Sequence, residues 1–535
     1  WLAFTAVMVV SFAVLSWIGV RIYQEMPPIP NQVVTTDGTV LIDSGDVTAG
    51  QNVWQAMGGM QVGSVWGHGS YVAPDWTADW LHREAVFILE NYSQTDFGKS
   101  FEELDEEQTA QLTARLTKIM RTNTYDETSG TITIDPIRAE AFEENLKYYS
   151  DIFAKGNSDF AIQKNAQSEP KKLRQMTAFF FWTSWASATN RPNQKSSYTS
   201  NFPSDPLVGN VPTGSTVIWT GVSVIVLIAG IGGMIWFFAG MKSEEDFTEV
   251  PDIDPLIGAT ATPSQKATIK YFLVVTLLFL LQIIMGVVTA HYGVEGDGFY
   301  GIPLADYLPY VVSRTWHTQL GIFWIATAWL AAGLYIGPII CGREPKFQKL
   351  GVDVLFGALL LVVLGSMAGQ WLSVMHMLGD GDLWFWFGHQ GYEYVDLGRV
   401  WQAALFVGLL LWFFLIARTA IPPMKKNDGS KPLLILYIIS TAGIAFFYAP
   451  GLFWGMKSHL TVVEYWRWWV VHLWVEGFFE VFATTVVAFL FARLGVIKPQ
   501  LAAKAALLSG AIYLSGGILG TLHHLYFAGT PTVAL

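Results

Sequence analysis

A helix needs an apolar run of about 20 residues to cross the roughly 30 Å hydrocarbon layer of a bilayer. This sequence contains nine such runs, near residues 1–23, 216–240, 268–290, 311–336, 351–376, 398–418, 432–453, 468–492 and 503–527. A chain so interrupted can satisfy its backbone only as a bundle of membrane helices. The composition agrees: 14% of residues are charged, against about 25% in soluble domains, and the mean hydropathy is +0.36. The first run lacks the basic flank and small-residue cleavage site of a signal peptide, so it reads as a span. The chain has no initiator Met and stops directly after an apolar run, so a piece of a longer protein is expected.

Between the first two runs lies a polar insert. Residues 24–213 hold 24 acidic and 14 basic side chains, and the rest of the chain holds 43 − 24 = 19 acidic and 32 − 14 = 18 basic ones. Nearly all of the net charge of −11 therefore sits in the insert, which excludes a nucleic-acid partner. Charged amphipathic stretches at 101–119 and 138–153 predict helices, and 39–42 and 131–134 predict short strands, making the insert an α+β domain. Orientation follows from the short loops. Lys242, Lys266, Lys270, Arg343, Lys346, Lys349, Arg418, Lys425, Lys426, Lys431, Arg493, Lys498 and Lys504 lie on one side, and only Arg399, Lys457 and Arg467 on the other. The first set is expected in the cytoplasm and the insert in the periplasm of a Gram-negative cell. The expected layout is a span over 1–23, the insert over 24–215, a span over 216–240, a cytoplasmic linker over 241–267 and a bundle over 268–535.

The single cysteine, Cys341, permits no internal disulfide, no CxxC pair and no CxxCH haem attachment. Any metal must be held by His and carboxylates. Ten histidines are present, and the topology gives several of them a depth. His317 lies about six residues into the fourth run, His472 a few residues into the eighth, and the His523–His524 pair near the outer end of the ninth. Ionisable groups inside spans are rare and usually functional. The eighth run reads His472-x-x-x-Glu476-x-x-x-Glu480, which places all three on one helical face with Glu480 about 12 Å deeper than His472. One intramembrane histidine is usually a packing residue. Two carboxylates beneath it and a His-His pair at matching depth point instead to a first-row metal, with the carboxylate favouring iron over copper.

His317 follows Arg314 and precedes an aromatic-rich stretch; spacing alone leaves it either an axial haem ligand or a core histidine. His291 closes the third run, with Glu295 and Phe299 beyond it. An interfacial anchor and a headgroup site for a lipid-soluble quinol are both open for it. The loop over 388–399 carries Glu393 and Asp396, read as solvated charges, with Glu393 the alternative oxygen ligand for a hard cation such as calcium.

Three motifs carry a resemblance: WGHGSYVAPDWTADWLHR from Trp66 to Arg83, RTWH from Arg314 to His317, and His472-x-x-x-Glu476-x-x-x-Glu480 with His523–His524 51 residues beyond His472. With these the chain resembles, over its whole length, the quinol-dependent nitric-oxide reductases of the haem–copper oxidase superfamily. The resemblance implies a mostly α, polytopic bundle of the haem–copper oxidase type with a cytochrome-c-like, haem-free outer domain. It implies that His472, His523 and His524, with Glu476, bind a non-haem iron, that Glu480 handles protons, and that His317 is an axial ligand of a low-spin haem b. His291, Glu295 and Phe299 would bind quinol, and Glu393, with Gly333 and Tyr335, would hold a calcium ion bridging haem propionates. The family's later His-x-His, which supplies the proximal ligand of the high-spin haem b and the second low-spin ligand, does not occur in these residues.

The reaction implied is 2 NO + 2 electrons + 2 protons giving N₂O and H₂O, in the bacterial inner membrane. Quinol, nitric oxide and the lipid bilayer are the expected partners, and a homodimer is left open. Three rivals stand beside this reading. A haem–copper oxygen reductase normally carries a tyrosine where this chain has Glu476. A proton-coupled transporter would explain the intramembrane carboxylates but not the aligned histidines. A homologue without activity is the third.

Overall fold

The computed structural model describes residues 1–240, 250–379, 381–425 and 430–534. Lys242 and Lys426, used above for orientation, lie outside the described residues, as does Leu535. Among the described residues nine helices are long and apolar enough to span a membrane: Leu2–Glu25, Gly214–Phe237, Pro263–Glu295, Tyr310–Cys341, Gln348–Val374, Arg399–Lys425, Lys431–Leu452, Leu460–Arg493 and Pro499–Leu525. The protein is mostly helical and crosses the membrane many times.

Several span boundaries differ from the sequence reading, the starts of the third and eighth spans among them. The third helical stretch starts at Pro263 rather than 268, capped by Thr262 and Gln265. Its Lys270 is taken up by Asp353 of the fifth span. The eighth starts at Leu460 rather than 468. Glu464 and Arg467 made that turn look like a loop, yet they pair with each other (Nη2 to Oε2, 2.7 Å) and are at most 1% exposed. Charge read one residue at a time ends a span too early when two charges three residues apart on a helix neutralise each other.

The polar insert folds as an α+β domain. Its helices include Asp46–Ala56, Trp76–Phe97, Glu106–Arg121, Pro136–Lys155 and Pro170–Ala188. The two helices expected from charge patterning are present, each begun by an aspartate cap (Asp105 onto Gln108 N, and Asp135 ahead of Pro136). A four-stranded sheet runs in the order Val40–Ile42, Gln32–Thr35, Thr131–Ile134, Tyr125–Asp126. Its central pair is parallel, with Val33 opposite Ile132, and its outer pairs are antiparallel. The interior is filled by aromatic rings. Trp76 stacks on Phe180 and Trp80 on Tyr149, with centroids 5.4 and 5.8 Å apart.

A small hairpin, Ser64–Val65 with His68–Gly69, projects from this domain toward the bundle. Its two-residue turn is Trp66 and Gly67, both at positive φ (55° and 80°), as such hairpin turns demand. Asp75 fixes it from behind. One carboxylate oxygen accepts from Gly67 N at 2.7 Å, while the other caps the helix Trp76–Phe97 through Thr77 N and Ala78 N.

Candidate metal centre

The eighth span changes character in its middle. Residues Trp469–Phe479 form a π-helix, whose i→i+5 bonding is rare and concentrates at functional sites. This segment carries His472 and Glu476. It is anchored by Trp474, whose indole N–H donates to the Ile444 carbonyl at 2.6 Å, and by Phe478, which stacks on Phe447 at 4.6 Å. The ninth span ends in a tight turn, Thr521–Leu525, that carries His523 and His524. The two spans touch backbone to backbone: a Cβ on Gly517 would lie 2.8 Å from the Gly477 Cα.

That contact brings the histidines together. One ligand atom from each of His472, His523 and His524 lies within 4.8 Å of the others. His472 Nδ1 is 3.0 Å from His524 Nε2 and 3.1 Å from Glu476 Oε2. Two donors each about 2.1 Å from one ion, at right angles, lie about 3 Å apart, so this spacing suits a first-row metal. His472 Nε2 is buried with no hydrogen-bond partner. Gly520 keeps the space beside it open, since a Cβ there would lie 2.8 Å from that nitrogen. The donor set fits a cation. His472 stands twelve residues inside its span rather than a few, because the span begins earlier than the sequence suggested. Glu476 reaches the group through His472 alone, its side chain being 55% exposed. Glu480 opens the α-helix that follows the π segment.

The remaining candidates fall in three places. His317 leans on the third helical stretch, its Nδ1–H donating to the Gln282 carbonyl at 2.9 Å, and Gly286 leaves room for the ring. A backbone acceptor on Nδ1 fixes the tautomer that turns Nε2 into a ligand. His291, Glu295 and Phe299 do converge: His291 Nε2 donates to Glu295 Oε2 at 2.8 Å, and its ring meets Phe299 at 4.4 Å. A tight turn at Tyr300 and Gly301, both at positive φ, folds Phe299 back onto the imidazole. Beside the turn lies a cavity of about 540 Å³, lined by Lys164, Asp297, Asp306 and His376 among others. Burial raises the Asp297 carboxyl above the usual carboxylate range there, against the opposing pull of Lys164.

Glu393 is not joined by the residues expected to share a calcium ion with it. Its carboxylate is held by Arg314 near the start of the fourth span. Gly333 and Tyr335 lie 19 and 21 residues further along that helix, roughly 28 and 32 Å away at 1.5 Å per residue. Gly333 instead packs on Trp412, Ile416 and Phe482, its carbonyl accepting from Tyr437, and Tyr335 is exposed. The three do not form one cation site. Asp396, the other acid of this loop, is wholly buried and structural. Burial alone would raise its carboxyl, but His389 and the N–H groups of Gln390 and Gly391 outweigh it and lower it below the usual value.

Several residues near the histidines escaped sequence reading. The Trp468 indole lies flat on His524, centroids 3.8 Å apart at 5°. Its N–H donates to Glu464 Oε2 at 3.2 Å, and His68 of the extramembrane hairpin meets the same oxygen at 2.6 Å. The available signal was a Glu and an Arg eight and five residues ahead of His472 in an otherwise apolar, aromatic run.

Comparison with known proteins agrees with this architecture. Residues 30–204 match the family model of the cytochrome c-like domain of NorB, a nitric oxide reductase chain. Residues 266–535, half of the chain, match cytochrome c and quinol oxidase polypeptide I. The NorB chain of the nitric oxide reductase of Stutzerimonas stutzeri is 27% identical over 275 residues, 51% of this chain and 55% of that protein. The chain thus spans about half the length of this curated relative. A membrane bundle with clustered histidines, following an α+β domain, places the chain in the cytochrome c and quinol oxidase polypeptide I family of the haem–copper oxidase superfamily, with an extramembrane domain of the NorB type.

Proposed function

We propose that this chain forms the catalytic region of a membrane-bound oxidoreductase that converts nitric oxide to nitrous oxide with electrons from quinol: 2 NO + 2 electrons + 2 protons → N₂O + H₂O. The observation that carries the reading is the cluster of His472, His523 and His524 with Glu476 alongside, in a chain whose extramembrane domain is of the nitric oxide reductase type. An iron held there, beside a high-spin haem b, would bring two NO molecules together and supply electrons to both. Glu476 offers the carboxylate that distinguishes an iron site from a copper one. Glu480, one helical step inward, is the candidate for moving protons toward the bound substrate.

Electron entry is placed at His291, Glu295 and Phe299. An imidazole hydrogen-bonded to a carboxylate can take up quinol protons, and the Phe299 and Tyr300 rings wall the headgroup. With Cys341 as the sole cysteine, these residues offer no thioether attachment for a haem c, and aromatic side chains fill the extramembrane domain. His317 is assigned to the low-spin haem b through Nε2, its Nδ1 being engaged by the Gln282 carbonyl. The membrane is the bacterial inner membrane, with the extramembrane domain in the periplasm. In the purified full-length protein, His523→Ala should remove the non-haem iron and abolish NO reduction while the low-spin haem spectrum stays unchanged. Full iron content and activity in that variant would overturn the assignment.

A further inference from the structure

We infer that His68, in the extramembrane domain, is a positioning residue for the metal site inside the bundle: it grips both chain segments that carry the metal histidines. The inference rests on the reading of His472, His523 and His524 as that site.

Both ring nitrogens of His68 are engaged. Nε2 lies 3.0 Å from the Tyr526 carbonyl, two residues beyond His524, and Nδ1 lies 2.6 Å from Glu464 Oε2, eight residues ahead of His472. A carbonyl can only accept, so Nε2 carries a hydrogen. One ring from outside the bundle therefore ties the eighth span to the end of the ninth.

The grip continues inward. Glu464 accepts two hydrogen bonds from Arg467 (3.0 and 2.7 Å) and one from the Trp468 indole. Arg467 donates onward to the Glu393 carbonyl at 2.9 Å. Trp468 in turn lies flat on His524, whose Nε2 is 3.0 Å from His472 Nδ1. The Glu464 and Arg467 side chains are at most 1% exposed and His68 is 13% exposed. Charge-assisted bonds in so dry a place are strong and direction-setting. The hydrogen bonds of His68 go to Glu464 and the Tyr526 carbonyl rather than to the metal histidines, so its grip reaches them through Glu464, Trp468 and the chain at Tyr526.

Ser70 provides an internal comparison. It lies two residues along the same hairpin and shares a hydrogen bond of 3.0 Å with the Tyr310 hydroxyl on the fourth span. That bond docks the same domain on the bundle without touching a segment that bears a metal histidine.

The test measures the rate at which a chelator strips non-haem iron from the purified full-length protein, together with the melting temperature. Orienting partners of metal ligands typically govern 10–100-fold in metal affinity. His68→Ala should therefore lose iron roughly 10–100-fold faster, Ser70→Ala should match wild type, and His68→Lys, whose ammonium can donate to both acceptors, should recover retention. Wild-type iron retention in His68→Ala overturns the inference, as does equal iron loss in His68→Ala and Ser70→Ala, which would make the effect one of docking alone. If His68→Ala does not fold, Trp468→Phe decides. It keeps a ring on His524 but deletes the bond to Glu464, so faster iron loss supports the route and unchanged loss overturns it. Full iron in His523→Ala would show instead that the metal-site reading itself has failed.

Discussion

His459 shows how a single residue here reports on its burial. It caps the eighth span, Nδ1 accepting from Thr461 N at 3.1 Å while Nε2–H donates to the Pro27 carbonyl at 2.8 Å. Both bonds require the neutral ring, and burial lowers its pKa to about 4 from 6.5. Because the folded value is depressed, the unfolded chain takes up the proton first. The stability this adds is whole above about pH 6.5 and is lost as pH falls toward 4. The loss should reach about 2 kcal/mol by pH 5, at 1.36 kcal/mol per unit. A melting-temperature series from pH 7.5 to 5 should fall steeply in wild type and more gently in His459→Asn, which keeps a capping oxygen without a titrating ring. A parallel fall in both proteins would remove His459 as the cause. At this scale the clustered histidines were legible in the sequence, because ionisable groups stand out in apolar runs. Glu464 and Arg467 were not, since their meaning lies in each other and in His68, 396 positions from Glu464.

The eighth and ninth spans make the case at the scale of elements. Their crossing depends on Gly517, where a Cβ would lie 2.8 Å from the Gly477 Cα and 3.0 Å from its nitrogen. Gly517→Ala should force the two spans apart, destabilising by about 1–3 kcal/mol and weakening iron retention, since His472 sits on one span and His523 and His524 on the other. Its neighbour Gly516 meets nothing within 4 Å. Gly516→Ala should therefore be neutral or slightly stabilising, and the pair can be compared by thermal melting and iron analysis. Loss of iron in both variants would mean that helix packing is not what the substitution disturbs. That the apolar runs would be helices was readable from their length. That one of them contains a π segment was not, because apolar periodicity cannot tell i→i+4 from i→i+5 bonding over eleven residues that are apolar on nearly every side.

Across the whole molecule, topology can be tested with the chain's own chemistry. Cys341, the sole cysteine, ends the fourth span, whose first turn meets the extramembrane domain through Tyr310 and Ser70. It therefore lies on the membrane face opposite that domain. With the domain in the periplasm, a membrane-impermeant maleimide should label Cys341 in inverted vesicles and not in intact spheroplasts. The reverse pattern would turn the orientation over. Sequence alone was enough to show a membrane bundle with a charged insert and to single out the histidines that cluster, because both follow from the cost of placing polar groups in hydrocarbon. The tertiary structure alone decided which of them meet. It joined His472 to His523 and His524 through a glycine contact, kept Gly333 and Tyr335 far from Glu393 along one rigid helix, and set His68 against Glu464. Such meetings depend on distances between elements, and spacing along a chain carries no information about distance once the chain has turned back on itself.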